Sequence, residues 1–308
     1  MKIYSVNHVD ALPCDGAVFV ALGNFDGVHQ GHAELLAAAR EGAAALSTPE
    51  RPVRPAVFTF YPLTSHVLTT VDERAALFAQ HGIEVLFVAE FSAFCRQTPE
   101  TFVRRTMAGI GAVGLVCGFN FRFGYGAAGD ANQLRYFSAA AHMACRVISS
   151  VQIGEVTVSS TEIRRRLSVG NIEGVAALLG RPWSITEEVV HGRSVGGSVL
   201  SAPTLNLPIA KGRQLPPFGV YFTEAVIDGV CYPSVTNLGV RPTFQGKEIL
   251  CETHLLEASG SFYGKTAEVR FLKFHRAEQR FDTPDSLAKA IRRDVTAARR
   301  YFDLTQKG

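Results

Sequence analysis

The sequence predicts an α/β domain built on a parallel sheet, followed by a smaller antiparallel β domain. Two observations support this prediction. Up to about residue 180, short apolar runs typical of buried strands alternate with helical patterns, which is the βαβ rhythm of a doubly wound sheet. From about residue 184 to 275, short alternating runs broken by Gly and Pro predict an antiparallel barrel or sandwich. We place the domain boundary between residues 183 and 184.

The predicted elements follow from apolar periodicity and from their flanking caps and turns. In the first domain the predicted strands cover 17–22, 55–60, 83–91, 112–119 and 145–154. The predicted helices cover 33–46, 72–82, 98–111, 131–144, 159–170 and 171–180. In the second domain, strands are expected within 184–192, 219–239, 249–257 and 265–274, and a terminal helix over 286–302.

The composition is that of an ordinary globular chain of 308 residues, 47% hydrophobic and 19% charged. A net charge of +3, without a basic stripe interleaved with aromatics, argues against nucleic-acid binding. Six scattered cysteines form no CxxC pair, so neither a zinc site nor a disulfide framework is predicted. No segment resembles a signal peptide or a membrane span, so we expect a cytoplasmic protein that does not bind membranes. Homo-oligomer formation is left open.

The stretch GNFDGVHQGH, residues 23–32, lies between the first long predicted strand and the first predicted helix. In an open α/β sheet such a turn lies at the carboxyl edge, where ligands bind, and the N-terminus of the following helix favours anions. Gly23, Gly27 and Gly31 allow a phosphate to approach the backbone closely. A lone histidine is usually structural, but His29 and His32, three residues apart at a Gly-rich helix start, indicate a functional role.

These residues carry a resemblance to known families. The segment His29-Gln30-Gly31-His32 resembles the (H/T)xGH motif of the nucleotidyltransferase superfamily, and GNFDGVHQGH resembles the bifunctional riboflavin kinase/FAD synthetases of bacteria. The resemblance continues through FRFGYGAAGD (121–130), VSSTEIRRRL (158–167), PTLNL (203–207), NLGVRPTF (237–244), ETHLLE (252–257) and FYGK (262–265). It implies a Rossmann-like nucleotidyltransferase domain over 1–183 and a six-stranded antiparallel β-barrel kinase domain with a terminal helix over 184–308.

The resemblance assigns the first domain to adenylyl transfer, which moves AMP from ATP to a phosphate acceptor. His29 and His32 would bind the triphosphate and stabilise the transition state, and Arg164 would contribute a guanidinium suited to phosphate oxygens. Turn formation explains Asp26 equally well, and helix capping explains part of Ser160. The nucleotide-binding residues that the resemblance implies are Gly23, Asn24, Phe25, Asp26, Gly31, Asn120, Arg122, Ser160 and Thr161.

Two further features of the first domain have a simple structural interpretation. The run of arginines after Ile163 suggests a solvated helix face for Arg165 and Arg166. In FRFGYGAAGD, an aromatic ring such as Phe123 would either stack on a flavin or adenine or pack in the core, and the sequence favours neither.

The second domain contains no Walker sequence, so its ATP site must use another scaffold. The resemblance assigns Thr204 and Asn206 to Mg²⁺ and the nucleotide phosphates, and their oxygen atoms suit this hard cation. It assigns Glu252 to accept the proton of the riboflavin 5′-hydroxyl as that group attacks the γ-phosphate of ATP. From the residues alone, Glu252 is equally explained as a charge on the exposed face of a strand. Three glycines in HGRSVGGSVL suggest a flexible loop over phosphates or a plain hairpin, namely Gly192, Gly196 and Gly197.

Several positions depart from the family pattern. A segment that usually reads T-F-D/E-P-H-P is TFYPLT here, with Tyr61 and Leu63 replacing an acid and a histidine. Phe119 replaces another acid, and Ser201 replaces a glycine in the kinase half, where a Cβ would face an approaching phosphate. A divergent paralogue with one silent domain, or a flavin-binding or regulatory protein, is therefore an alternative. The retained set of catalytic residues argues for the active enzyme.

The sequence thus predicts an enzyme that phosphorylates riboflavin to FMN in its C-terminal domain and adenylates FMN to FAD, releasing pyrophosphate, in its N-terminal domain. Its substrates would be riboflavin, FMN and ATP, with Mg²⁺ as the cofactor. An adenylyltransferase acting on a phosphopantetheine or pyridine-nucleotide acceptor is a rival. The attached β domain, with PTLNL and ETHLLE, argues against that rival.

Overall fold

A computed structural model describes residues 1–8, 12–13, 16–61, 66–191, 203–243 and 246–305. The chain forms two compact units, Met1–Ser160 and Thr161–Gly308. No helix in the described ranges is long and apolar enough to cross a membrane.

A six-stranded sheet forms the centre of the first unit. Its strands are β1 (Lys2–Val6), β2 (Ala17–Leu22), β3 (Val53–Tyr61), β4 (Val85–Glu90), β5 (Ala112–Gly118) and β6 (Ala144–Ile148). They lie in the order β1-β4-β3-β2-β5-β6 and every pairing is parallel, which confirms the predicted parallel sheet. The edge strand β1 was not expected. Because β2 lies between β3 and β5, the direction of strand progression reverses there, and ligands bind at such a switch point.

Helices cover both faces of this sheet. They are α1 (Gln30–Leu46), α2 (Val71–Gln80), α3 (Phe91–Phe94), α4 (Pro99–Thr101) and α5 (Ala131–Ala140), and α6 (Ser160–Ser168) follows later in the chain. Strand β2 shows why both faces must be covered: Val18 and Val20 enter one apolar core, and Phe19 and Ala21 enter the other. A small hairpin, β7 (Gln152–Ile153) and β8 (Val156–Thr157), precedes α6.

One predicted helix differs from expectation. The segment 98–111 begins as α4 but continues as a π-helical stretch over Phe102–Met107. Thr98 caps its start by accepting a hydrogen bond from the backbone N–H of Thr101, and Pro99 occupies the first turn as predicted. The wider π turn places Phe102, Val103 and Met107 in the core.

The second unit is built on a six-stranded antiparallel sheet. Its elements are α7 (Ile172–Leu179), β9 (Trp183–Glu188), β10 (Thr204–Pro208), β11 (Gly219–Ile227), β12 (Val230–Thr243), β13 (Gly246–Leu255), β14 (Thr266–Ala277) and α8 (Pro284–Thr305). The strand order is β10-β13-β12-β11-β14-β9. Val190, just after the edge strand β9, forms an antiparallel bridge with Asn206 on the other edge strand, β10. The backbone N–H of Val190 donates to the backbone oxygen of Asn206, with 2.9 Å between nitrogen and oxygen. The sheet is therefore a half-barrel, not a sandwich.

The terminal helix covers one face of the half-barrel, as predicted. Val220, Phe222 and Val235 pack against Ala298 and Phe302 of α8. Contacts divide the chain earlier than the predicted boundary at 183/184, because α7 packs on β9 and β14 and so joins the second unit.

Candidate active sites

The turn after β2 has an unusual backbone. Phe25, Gly27 and Val28 all have positive φ, at 51°, 85° and 41°. Glycine adopts such angles freely, but for the two bulky side chains they cost of order 1–3 kcal/mol each and persist only where surrounding contacts impose them. A strained turn at the switch point is typical of a functional site.

Asp26 provides much of the constraint. Its carboxylate accepts hydrogen bonds from the backbone N–H groups of Leu68 and Thr69, at 2.9 and 3.1 Å, and from the Thr69 hydroxyl at 3.3 Å. The same hydroxyl accepts a hydrogen bond from the Gly27 N–H at 2.9 Å. With 4% of its surface exposed, Asp26 ties this turn to the segment that leads into α2. The turn-forming interpretation of Asp26 therefore has direct support, and a nucleotide contact by its carboxylate stays a prediction.

Arg74 holds the start of the same turn. Its Nη1 donates to the backbone oxygen of Asn24 at 2.8 Å, and the Thr59 hydroxyl donates to that oxygen at 3.2 Å. Burial lowers the pKa of the Arg74 guanidinium, and the negative charge of Asp26 partly offsets this. The Asn24 side chain itself is exposed at the carboxyl edge of the sheet.

The two histidines cap helix α1 and each other. The His32 N–H donates to Nδ1 of His29 at 3.2 Å, and the His29 N–H donates to Nδ1 of His32 at 3.4 Å. Their rings stack with centroids 3.6 Å apart and planes 12° apart. Because each Nδ1 accepts a backbone proton, the neutral tautomer of each ring carries its proton on Nε2. Two N–H donors at a helix N-terminus suit the binding of phosphate.

Neighbouring residues keep this pair in place. An added Cβ on Gly31 would lie 3.3 Å from two atoms of the His29 ring, so a glycine at this position leaves room for the stack. Phe25 is fully buried and packs against His32 and Phe78. The ring of Phe25 therefore supports His32, and a nucleotide contact by the backbone of Phe25 stays a prediction.

Ser160, the first residue of the second predicted phosphate element, contacts the histidine turn. Its hydroxyl donates to the backbone oxygen of Asp26 at 2.8 Å. Thr161 and Arg164 follow in α6 but belong to the second unit, so their contact with the phosphates stays a prediction. Arg165 and Arg166 both pair with Glu162; the Arg165 side chain is exposed as expected for a solvated helix face, but that of Arg166 is only 17% exposed.

The loop after β5 divides into surface and core residues. Asn120 and Arg122 are exposed near the carboxyl edge. Phe123 is buried against Phe121 and Phe102, so core packing is the correct interpretation of its ring. Asp130 caps α5 by accepting hydrogen bonds from two backbone N–H groups.

The residues predicted for the kinase site lie on neighbouring strands of the second unit. On β10 and β13, Thr204 lies opposite His254 and Asn206 lies opposite Glu252. The backbone N–H of Leu255 donates to the Pro203 oxygen, so residues 203 and 255 form a hydrogen-bonded pair. Because such pairs alternate along an antiparallel ladder, the pairs 204/254 and 206/252 are non-hydrogen-bonded, and their side chains lie closer together. The three predicted residues therefore share one face of the sheet.

The polarity of this face suits phosphate and cation chemistry. The Thr204 hydroxyl lies 3.4 Å from Nδ1 of His254, Asn206 is buried, and Glu252 is exposed. Burial and the positive charge of Arg299 lower the pKa of His254, which favours the neutral imidazole. Hydroxyl, amide and carboxylate oxygens of Thr204, Asn206 and Glu252 are the donor types that Mg²⁺ prefers, so the residues fit this ion.

One candidate residue was missed. Asn237 on β12 lies opposite Glu252 on the side away from Asn206, so two amides flank the carboxylate. Asn237 belongs to the motif NLGVRPTF, but only the register between β12 and β13 reveals that it neighbours Glu252.

Two of the departures from the family pattern lie among the described residues. Tyr61, at the end of β3, is 53% exposed, and Phe119, one residue beyond β5, is 54% exposed. Both positions flank the strand that leads into the histidine turn. The remaining departures and the predicted loop glycines lie outside the described residues: Leu63, Gly192, Gly196, Gly197 and Ser201.

Comparisons with known proteins match each half of the chain to a known family. A family model for FAD synthetase matches residues 12–162, and one for riboflavin kinase matches residues 179–302. A bifunctional riboflavin kinase/FMN adenylyltransferase from Pseudomonas fluorescens is 35% identical over 285 residues, which are 90% of this chain and 91% of the relative. Proteins with the same description are 30% identical in Bacillus subtilis, covering 94% of this chain and 93% of theirs, and 32% identical in Escherichia coli K12, covering 99% and 98%.

A solved structure has a fold similar to that of this chain. The crystal structure of a protein described as a macrolide-efflux protein from Streptococcus pneumoniae superposes with a TM-score of 0.82 at 26% identity, covering 97% of this chain and 99% of that one. Two matching family models and three relatives at 30% identity or more, each covered over nine tenths or more of its length, confirm the predicted resemblance. The chain belongs to the family of bifunctional riboflavin kinase/FMN adenylyltransferases.

Proposed function

We propose that the N-terminal half of this chain makes FAD and pyrophosphate from FMN and ATP at the histidine turn. The observation that carries this is the stacked pair of His29 and His32, which cap α1 at the switch point of the sheet. A phosphate oxygen of FMN attacks the α-phosphorus of ATP, and the bond to the leaving pyrophosphate breaks. The Nε2–H groups of both rings and the N-terminus of α1 stabilise the negative charge that develops, and the family resemblance assigns Arg164 to the phosphates as well.

The C-terminal half phosphorylates riboflavin on the face formed by β10 and β13. Glu252 accepts the proton of the 5′-hydroxyl as this oxygen attacks the γ-phosphorus of ATP, and the bond from that phosphorus to the leaving ADP breaks. Thr204 and Asn206 would hold Mg²⁺ and the phosphates, and the ion, when bound, neutralises charge on them. Asn237 flanks the carboxylate and is suited to orient it.

Further parts of the proposal concern the setting of the two reactions. We place the functional boundary at 183/184 and the protein in the cytoplasm, and we assign it small-molecule substrates without a nucleic-acid partner. The mild net charge of +3 supports the last point. The exposed aromatics at Tyr61 and Phe119 replace acids, and the proposal holds that both activities survive these changes.

Two substitutions separate the two activities. In His32→Ala, FMN still forms but FAD does not; in Glu252→Gln, FMN formation is lost but supplied FMN is still adenylated. Riboflavin, FMN and FAD are separated by chromatography during turnover with ATP and Mg²⁺. His8→Ala, and Glu248→Gln on the same strand as Glu252, are the matched controls and keep both activities. Equal loss of both reactions in a folded His32→Ala variant would contradict the division of labour.

A further inference from the structure

Arg74 is a buried cation that the proposed chemistry does not use. It is 3% exposed, and its guanidinium donates to the Asn24 oxygen at 2.8 Å and, from Nε, to the Thr70 oxygen at 3.4 Å. Asp26, whose charge acts on Arg74, is also buried. Both side chains therefore lie in the interior beneath the histidine turn.

This arrangement is unfavourable for α2 itself. Arg74 is the fourth residue of the helix, where the positive end of the helix dipole disfavours a cation. Removing a guanidinium from water adds a desolvation cost that an ion pair recovers only with good geometry. A residue that breaks local rules in this way indicates a role elsewhere.

That role concerns the backbone of the turn. The Asn24 oxygen receives two donors, Arg74 and the Thr59 hydroxyl, which together fix the peptide group between Asn24 and Phe25. Phe25 is the first residue with positive φ in the turn. Five residues after Asn24 the chain reaches His29, the cap of α1. A rotation of this peptide group would therefore displace the backbone that leads to His29 and shift the phosphate-binding cap of α1.

We propose that Arg74 is a positioning residue for adenylyl transfer: through the Asn24 carbonyl it fixes the path of the turn that presents Asn24 and the histidine cap to the nucleotide. The inference rests on the proposed function of that turn. A displacement of about 1 Å in a catalytic group lowers turnover by about 100-fold, so a modest shift of the turn has a large kinetic effect.

The test compares Arg74→Gln, Arg74→Lys and Arg104→Gln in the full chain. Arg104 is an exposed arginine of the same unit, paired with Glu100, and is the matched control. We expect the kcat for FAD formation to fall about 10- to 100-fold in Arg74→Gln. FMN formation and the folded fraction, followed by circular dichroism at the assay temperature, stay at the wild-type level. Arg74→Lys keeps the charge and one donor and recovers part of the lost activity.

A second measurement separates positioning from support of the fold. Thr59→Val removes the other donor to the Asn24 oxygen and leaves the shape of the side chain almost unchanged. If both residues act through this oxygen, the double variant with Arg74→Gln departs from additivity in the kcat for FAD formation. Additive effects, or a loss of FAD formation that only follows the unfolded fraction, would overturn the proposal. If Arg74→Gln does not fold, Arg74→Lys with Thr59→Val decides in the same way.

Failure of the underlying function has a different signature. If the wild-type chain and Arg104→Gln make no FAD, the adenylyltransferase assignment itself is wrong. If they make FAD and both Arg74 variants make it at the same rate, only the positioning role is refuted.

Discussion

Replacing Asp26 with asparagine isolates the contribution of one carboxylate to the histidine turn. The donors to this buried carboxylate include the N–H groups of Leu68 and Thr69 and the Thr69 hydroxyl. Hydrogen bonds to a charged acceptor contribute about 1.5–3 kcal/mol and neutral ones about 0.5–1.5, so an amide loses about 1 kcal/mol per bond. Counting one bond from each of these three donor groups gives a loss of about 3 kcal/mol, before the effect on the buried Arg74 is counted.

Scanning calorimetry measures this loss. For a unit of this size, about 1 kcal/mol corresponds to 2–4 °C, so the transition of the first unit should fall by about 6–12 °C. FAD formation should fall with it, and FMN formation should not. The matched control is Asp130→Asn at the cap of α5, where asparagine caps as well as aspartate and the transition stays in place. An unchanged transition in Asp26→Asn, or an equal fall in both variants, would refute the reasoning.

Two other predictions test the packing around the sites. In Gly42→Ala, the new Cβ on α1 would collide with the ring of Phe19, which also lies close to Gly114 on β5. Overpacking of about 1–3 kcal/mol therefore exceeds the helix-propensity gain of about 1 kcal/mol. Urea unfolding should show a net loss, whereas Glu41→Ala should not; a stabilised Gly42→Ala would contradict this packing. Burial raises the pKa of Cys117 and of Cys251 to about 12, so at pH 8 only about 10⁻⁴ of each is thiolate. Iodoacetamide should therefore modify the exposed Cys231 and the partly exposed Cys95 before Cys117 and Cys251 in the native chain, as peptide mass spectrometry would show, and equal labelling of Cys117 would disprove it.

Local patterns predicted the strand and helix around the first site well. The run AVFVAL was expected as a strand over 17–22, which is where β2 lies. Helix α1 begins at Gln30 and not at residue 33, because His29 and His32 form a reciprocal cap that histidine seldom provides. The edge strand β1 was missed, since five residues with mixed exposure carry little periodicity and are ordered by pairing with β4.

Long-range contacts explain what the sequence did not reveal. Motif resemblance identified Thr204, Asn206 and Glu252, but their common face depends on the register of β10, β13 and β12, which no local pattern specifies. The same holds for Asn237. The burial of Phe25 and the contact of Arg74 with Asn24, fifty residues earlier, likewise follow from tertiary packing.

The central claim is that one chain carries out two consecutive reactions. The most direct measurement is a time course in which the purified chain is incubated with riboflavin, ATP and Mg²⁺ and the flavins are separated by chromatography. We expect FMN to accumulate first and then to be converted to FAD. FMN as the final product would mean that the substitutions at Tyr61 and Phe119 have silenced the adenylyltransferase, and the absence of both products would contradict the enzymatic assignment as a whole.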